Sequence, residues 1–271
     1  MMKLTRHETQ QGPRWAADDF WLAKTFTLGT LLAKPRADIE DFIKRMRSTE
    51  PAQGALLAPI ESLQEVWASG VTYLRSREAR QAESNTGNVY DRVYAAQRPE
   101  LFFKSIGWRV KGPLQDLRYR ADSTWNVPEP ELTLVINQSA EIVGYTAGND
   151  MSSRSIEGEN PLYLPQAKVY NGACSLGPAI ELDVTKLSDL PIDLAIERAG
   201  SPIFFGSTHT ANMNRKLDEL VTYLYRELSF PEGAFLLTGT GIVPPEQFTL
   251  AQGDTVTVTV GSLNLVNAIG A

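Results

Sequence analysis

The stretch from Val127 to Lys168, VPEPELTLVINQSAEIVGYTAGNDMSSRSIEGENPLYLPQAK, constrains the fold more than any other part of the chain. Leu132, Leu134 and Ile136 recur at a spacing of two behind Glu129-Pro130-Glu131. Successive side chains of a strand point to opposite faces, so a strand starting here projects both glutamates from one face. Asn137-Gln138-Ser139-Ala140 reads as a hairpin, and the returning segment delivers Gly148-Asn149-Asp150 to a strand end. Two carboxylates held side by side repel each other unless a cation lies between them. With Asp150 as a third, they form the all-oxygen cluster that a hard divalent ion such as Mg2+ prefers. Taken alone, E-x-E also describes two solvated residues at a strand start.

The 271 residues suffice for one large β-rich domain or for a small N-terminal piece and a larger one. A formal charge of -6 and a pI near 5.1 leave no basic footprint, so nucleic acid is not an expected partner. The single cysteine, Cys174, rules out an internal disulfide framework and a multi-thiolate metal site, and suits a reducing cytoplasm. No apolar run approaches the length of a membrane span, and MMKLTRHETQQGPRW has no apolar signal segment. The expectation is a soluble, cytoplasmic protein with no membrane partner.

Along the chain, LAKTFTLGTLLA reads as a short strand or turn before a helix that Asp38 caps and that carries an apolar stripe of Ile39, Phe42, Ile43 and Met46. Residues 48–54 have linker character, which divides the chain into a small N-terminal α/β region, 1–56, and a main domain, 57–271. Leu74 to Glu83 is a charged helix, either a solvated face or a lid bearing Arg75, Arg77, Glu78 and Arg80. Arg75 and Arg77 are candidates for steering an anionic substrate. Arg98 to Lys104 reads as a strand beginning at Pro99, and Pro113 to Asp122 as further polar strand. Asp193 to Gly206 reads as a hairpin turning at Ala199-Gly200, and Thr210 as the cap of a long amphipathic helix through Leu224. Leu236 to Gly241 is a strand ending in a glycine-rich turn with open N–H groups, and Asp254 to Val260 alternates strictly, as a half-buried strand does.

The blocks VPEPEL, GNDMSSRSIEGENPLYLPQAK and LLTGTGIVP, in this order, resemble the fumarylacetoacetate hydrolase superfamily over roughly Pro59 to the C-terminus. ARQAES, YDRVYAAQRPELFFKS and RYRADSTWNVPEPEL resemble its sugar-acid dehydratase branch, which acts on substrates such as 2-keto-3-deoxy-D-arabinonate. The resemblance implies an α+β, β-rich catalytic domain of mixed β-sandwich or roll form with a small N-terminal domain. It implies Glu129, Glu131 and Asp150 as ligands of Mg2+, with Mn2+ or Ca2+ as substitutes. It further implies Lys168 directed towards the metal, Glu100 near the substrate as acid or base with Phe103 or Phe102 as an apolar wall, and Thr240 on the substrate carboxylate. Arg154 and Glu157 would orient ligands or touch substrate, Arg154 by bracing a carboxylate. A small 2-keto acid substrate and a homodimer or homotetramer are also implied.

Hydrolases of the family use a histidine–glutamate pair, placed in the lid ahead of the metal ligands, to activate water. This chain has only His7 and His209, neither between Tyr73 and Arg98. Elimination is therefore the expected reaction, with Lys168 or Glu100 taking the C3 proton and the other protonating the leaving C4 hydroxyl. The alternatives are a hydrolase or decarboxylase that cleaves a C–C bond of an acylpyruvate or diketo sugar acid, and a catalytically silent metal-binding scaffold.

Overall fold

Short runs with a two-residue apolar period, closed by turns, build most of the chain, and the computed structural model describes residues 2–83 and 89–270. The N-terminal part forms β1 (Lys3–His7), β2 (Arg14–Ala17), β3 (Phe20–Leu22), α1 (Leu28–Leu32), α2 (Ile39–Met46), β4 (Arg47–Pro51) and β5 (Leu56–Leu57). There follow β6 (Glu65–Gly70), α3 (Leu74–Glu83), α4 (Val89–Ala95), β7 (Glu100–Ile106), β8 (Asn126–Val127), β9 (Pro130–Ile136), β10 (Ile142–Asp150) and β11 (Ser152–Ser153). Next come α5 (Arg154–Glu159), α6 (Leu164–Lys168), β12 (Cys174–Glu181), β13 (Pro191–Arg198), β14 (Ser201–His209) and α7 (Leu217–Leu224). The chain ends in β15 (Ala234–Leu237), β16 (Thr255–Val260) and β17 (Leu263–Ala268). The side chain of Arg80, a predicted lid residue, lies outside what the structure describes.

An 11-stranded sheet runs β4-β3-β2-β1-β12-β10-β9-β15-β6-β7, with β5 also on β1, and a 4-stranded sheet runs β14-β13-β16-β17. Both faces of the large sheet are covered, which is why every residue of β9 and β10 is buried. Leu132, Leu134 and Ile136 pack with Ile192, Val256 and Val258 of the smaller sheet. Val135, on the other face, packs with Leu28, Leu31 and Ile43 of the N-terminal helices. The result is the β-rich α+β sandwich expected. Among the described residues no helix is long and apolar enough to cross a membrane.

The hairpin at Ala199-Gly200 is as predicted, with both residues at positive φ (51° and 75°), the conformation a two-residue turn between twisted strands requires. Several local readings are corrected. The segment after Lys24 contains helix α1, started by a reciprocal Thr27/Thr30 capping box, and Asp38 precedes α2 without a side-chain cap bond. The expected linker is largely strand β4, hydrogen-bonded to β3. Strand β1 pairs with β12 across the proposed boundary between 1–56 and 57–271. Pro113 to Asp122 forms no strand; its Leu114 and Leu117 N–H groups donate instead to Val266 and Ala268. Thr210 caps no α-helix: its hydroxyl accepts from Leu190 N–H, it begins the short 3-10 turn Thr210–Asn212, and Asn214 N–H donates to Thr72 O before α7 begins at Leu217.

Candidate metal and active site

Five neighbouring strands, β10-β9-β15-β6-β7, bring functional groups to one end of the sheet. Antiparallel pairing sets Asn149 opposite Pro130 and Gly148 opposite Glu131, so the end of β10 meets the start of β9. Asp150 N–H donates to Glu129 O at 2.9 Å, and Glu129 N–H donates to Asn149 Oδ1 at 3.1 Å. β15 and β6 are parallel, which sets their two C-terminal turns side by side. Thr72 Oγ1 of one turn donates to Thr238 O of the other at 2.7 Å.

Here Glu129, Glu131 and Asp150 converge: one carboxylate oxygen of each lies within 4.8 Å of the others, and all three residues are buried. Three buried cations face them. Lys168 Nζ, from the end of α6, lies 2.8 Å from Glu129 Oε2 and 3.2 Å from Asp150 Oδ2. Lys104 Nζ, from β7, lies 2.5 Å from Asp150 Oδ1, and Arg154 Nη2 lies 3.0 Å from Glu129 Oε1. Gly239 N–H donates to Glu131 Oε2 at 2.6 Å. That bond needs glycine: φ is +92°, and a Cβ would sit 2.1 Å from Thr72 Oγ1. Burial raises the Glu131 carboxyl well above the usual range, and Asp150 and Glu129 push the same way, against Lys168 and the Gly239 N–H. Burial lowers the Lys104 ammonium, and Asp150 opposes that shift.

The cluster floors a narrow cavity whose walls carry Ser69, Gly70, Val71, Ser76, Glu100, Phe102, Glu157, Leu164, Lys168 and Thr240. Glu100 lines it from a position opposite Gly70 in the β6–β7 ladder. A Cβ on Gly70 would lie 2.1 Å from Glu100 Oε2, so the carboxylate rests where only glycine leaves room. Val71 adopts φ +54°, a strained conformation for a β-branched residue, as the chain turns from β6 towards α3. Glu157 accepts from Ser152 Oγ at 2.8 Å, and the Thr240 hydroxyl accepts from Ile242 N–H at 3.1 Å.

Of the predicted site residues, Glu129, Glu131, Asp150, Lys168, Glu100, Glu157 and Thr240 all line this cavity. Arg154 does not; it braces Glu129 from behind. Phe103 points away, its ring edge-on to Trp67 at 6.0 Å, while Phe102 lines the cavity under Lys168 Nζ. Alternation along β7 requires this swap, because Glu100 and Phe102 share a face. Arg75 is 61% exposed and lies 3.9 Å from Glu78, and Arg77 lies against Asp91 and Tyr94, so neither lines the cavity. Lys104 was missed, although the E-x-F-x-K spacing from Glu100 puts it on the inward face. Ser69 and Ser76 gave no sequence signal. His7 sits against Trp21 and His209 beside Asp189, both away from the cavity lining.

Three convergent carboxylates with no nitrogen or sulfur donor fit a hard, oxygen-seeking divalent ion, and buried counter-cations keep the cluster foldable without one. Residues 65–270 match the family profile described as fumarylacetoacetate (FAA) hydrolase C-terminal. The chain belongs to the fumarylacetoacetate hydrolase family. Within known members it is 48% identical over 211 residues to a probable 2-keto-3-deoxyxylonate dehydratase of Haloferax volcanii, covering 77% of this chain and 72% of that protein. It is 42% identical over 206 residues to a 2-dehydro-3-deoxy-D-arabinonate dehydratase of Saccharolobus solfataricus, covering 73% and 69%. The solved structure of a 2-keto-3-deoxy-D-arabinonate dehydratase complexed with magnesium and 2,5-dioxopentanoate superposes with a TM-score of 0.81 at 31% identity, over 99% of this chain and 98% of that one.

Proposed function

We propose that this member of the fumarylacetoacetate hydrolase family is a Mg2+-dependent hydro-lyase of 2-keto-3-deoxy sugar acids. The substrate favoured is 2-keto-3-deoxy-D-arabinonate, converted to 2,5-dioxopentanoate and water. The observation that carries the proposal is the convergence of Glu129, Glu131 and Asp150 on the floor of a cavity whose wall holds Glu100 and Lys168 and no histidine. The relatives named as dehydratases support the same substrate class. Their two substrate names describe compounds without stereocentres at C2 and C3, so they differ at most in configuration at C4.

Glu129, Glu131 and Asp150 would hold the ion. When bound, Mg2+ supplies Lewis acidity, withdrawing electrons from the C2 carbonyl and so acidifying C3. The chain's own residues do the rest. Lys168 and Glu100 both line the cavity, which supports a role in which one takes the C3 proton and the other gives a proton to the C4 hydroxyl as it departs. Loss of that proton and hydroxide leaves a C3–C4 double bond; moving a proton from C5 to C3 then yields the enol of the aldehyde, which tautomerises. Thr240 and the neighbouring backbone turn suit the substrate carboxylate. The same reading places the enzyme in the cytoplasm as a homodimer or homotetramer, the latter checked by light scattering.

The test incubates the purified protein and Mg2+ with 2-keto-3-deoxy-D-arabinonate, and in parallel with an acylpyruvate. The expected result is a product lighter by one water that reacts as an aldehyde. Pyruvate released from the acylpyruvate, with the sugar acid unchanged, would overturn the dehydratase reading in favour of C–C cleavage.

A further inference from the structure

Lys104 is buried in the middle of β7, and the chemistry above does not use it. An ammonium carries three N–H donors, and three acceptors surround this one. They are Asp150 Oδ1 at 2.5 Å, Met151 O at 2.8 Å and Lys168 O at 2.6 Å. The side chain is fully buried and does not line the cavity, so it does not reach a substrate. Two of the acceptors are main-chain carbonyls, one from the residue after Asp150 and the other from Lys168 itself. A single charge thus fixes the bases from which Asp150 and Lys168 reach into the cavity, and ties both to the strand that carries Glu100.

The Asp150 carboxylate is divided by this contact. Oδ1 belongs to Lys104, and Oδ2 faces Lys168 Nζ and the cluster. From this geometry we infer that Lys104 is a positioning residue that makes Asp150 a one-oxygen ligand and so biases the triad towards Mg2+ over Ca2+. The inference rests on the proposed metal-binding role of the triad. Mg2+ demands compact, near-octahedral geometry, which favours one oxygen from each carboxylate, whereas Ca2+ takes more oxygens and accepts carboxylates through both. With Oδ1 held by a cation, Asp150 cannot turn both oxygens to one ion. Without Lys104 it can.

Calorimetric titration of MgCl2 and CaCl2 into the intact chain without substrate tests this independently of any turnover. Lys104→Met should weaken Mg2+ by about 10- to 100-fold, the usual loss when a group orienting a metal ligand is removed, and Ca2+ by clearly less. Equal losses for both ions, or an unchanged Mg2+ affinity, would overturn the inference. Because that variant buries three orphaned acceptors and can fail to fold, the wild-type protein crystallised with MgCl2 provides a second measurement. The expected structure has one Asp150 oxygen on the ion and the other still on Lys104 Nζ. Both oxygens on Mg2+ would overturn the clamp alone, whereas a triad without Mg2+ would overturn the metal-binding reading on which it stands.

Discussion

Side by side in a buried cavity floor, Glu129, Glu131 and Asp150 are balanced by Lys104, Lys168 and Arg154. Removing one partner of such a set strands an uncompensated charge. The balance is uneven at Glu131, whose carboxyl holds its proton above the ordinary 4.5. Without metal, the folded chain therefore binds more protons than the unfolded chain as pH rises past that value. Stability from this group is present below 4.5 and is lost as pH climbs through the raised folded value. Melting curves in chelator should show wild type losing stability with rising pH more steeply than Glu131→Gln; parallel curves would contradict the raised value. Glu100→Gln should cut kcat by about 10²- to 10⁴-fold, the contribution of a positioned acid or base, and leave Mg2+ affinity unchanged. Gly70→Ala should act through the same carboxylate, because the new Cβ meets the flexible end of Glu100 and not backbone. Displacing a reacting group by about 1 Å costs about 10²-fold, so kcat should fall by that order while the melting temperature holds. In the Glu100→Gln background the glycine change should add little, as a double-mutant cycle would show.

Strand β7 shows how much an element's periodicity decides. Glu100, Phe102 and Lys104 face the site, and Phe103 faces Trp67. Phe102→Leu should lower kcat/KM. Phe103→Leu should leave it within about twofold and cost under about 1.5 kcal/mol of stability by denaturant titration, as conservative apolar swaps do. The reverse pattern would mean that β7 is read on the wrong face. Where local pattern and final partner agree, the sequence was legible: Pro130–Ile136, its hairpin to Asp150, the turn at Ala199-Gly200 and the half-buried Thr255–Val260 all fold as read. The acidic triad was legible through the family resemblance of its three sequence blocks, since E-x-E alone also describes solvated residues, and the three carboxylates do converge. Segments that answer to distant partners were not legible. Thr210 to Asn214, a short 3-10 turn and its exit, is held by Leu190 and Thr72, and Leu114 and Leu117 are held by Val266 and Ala268. Of the two aromatic candidates, Phe102 lines the cavity and Phe103 packs on Trp67, as the parity of Glu100 and Lys104 along β7 requires.

For the whole molecule, the site depends on one parallel pair, β15 and β6, inserted in an otherwise antiparallel path through the sheet. That pair brings the Gly239 turn and the Gly70-Val71 turn together over the start of β9, so groups far apart in sequence share one cavity. An ion bound there joins β9 and β10 at their ends and stabilises only the folded chain. At 100 times its dissociation constant it should add about 2.7 kcal/mol, seen as a rise in melting temperature that a chelator reverses. That three carboxylates hold one ion is tested most directly by calorimetric titration of Mg2+ into the wild type and into Glu129→Gln, Glu131→Gln and Asp150→Asn. The expected result is one ion per chain, with each variant at least about tenfold weaker, as loss of a charged ligand implies. Undiminished affinity in any of the three, or no Mg2+ uptake by the wild type, would contradict it.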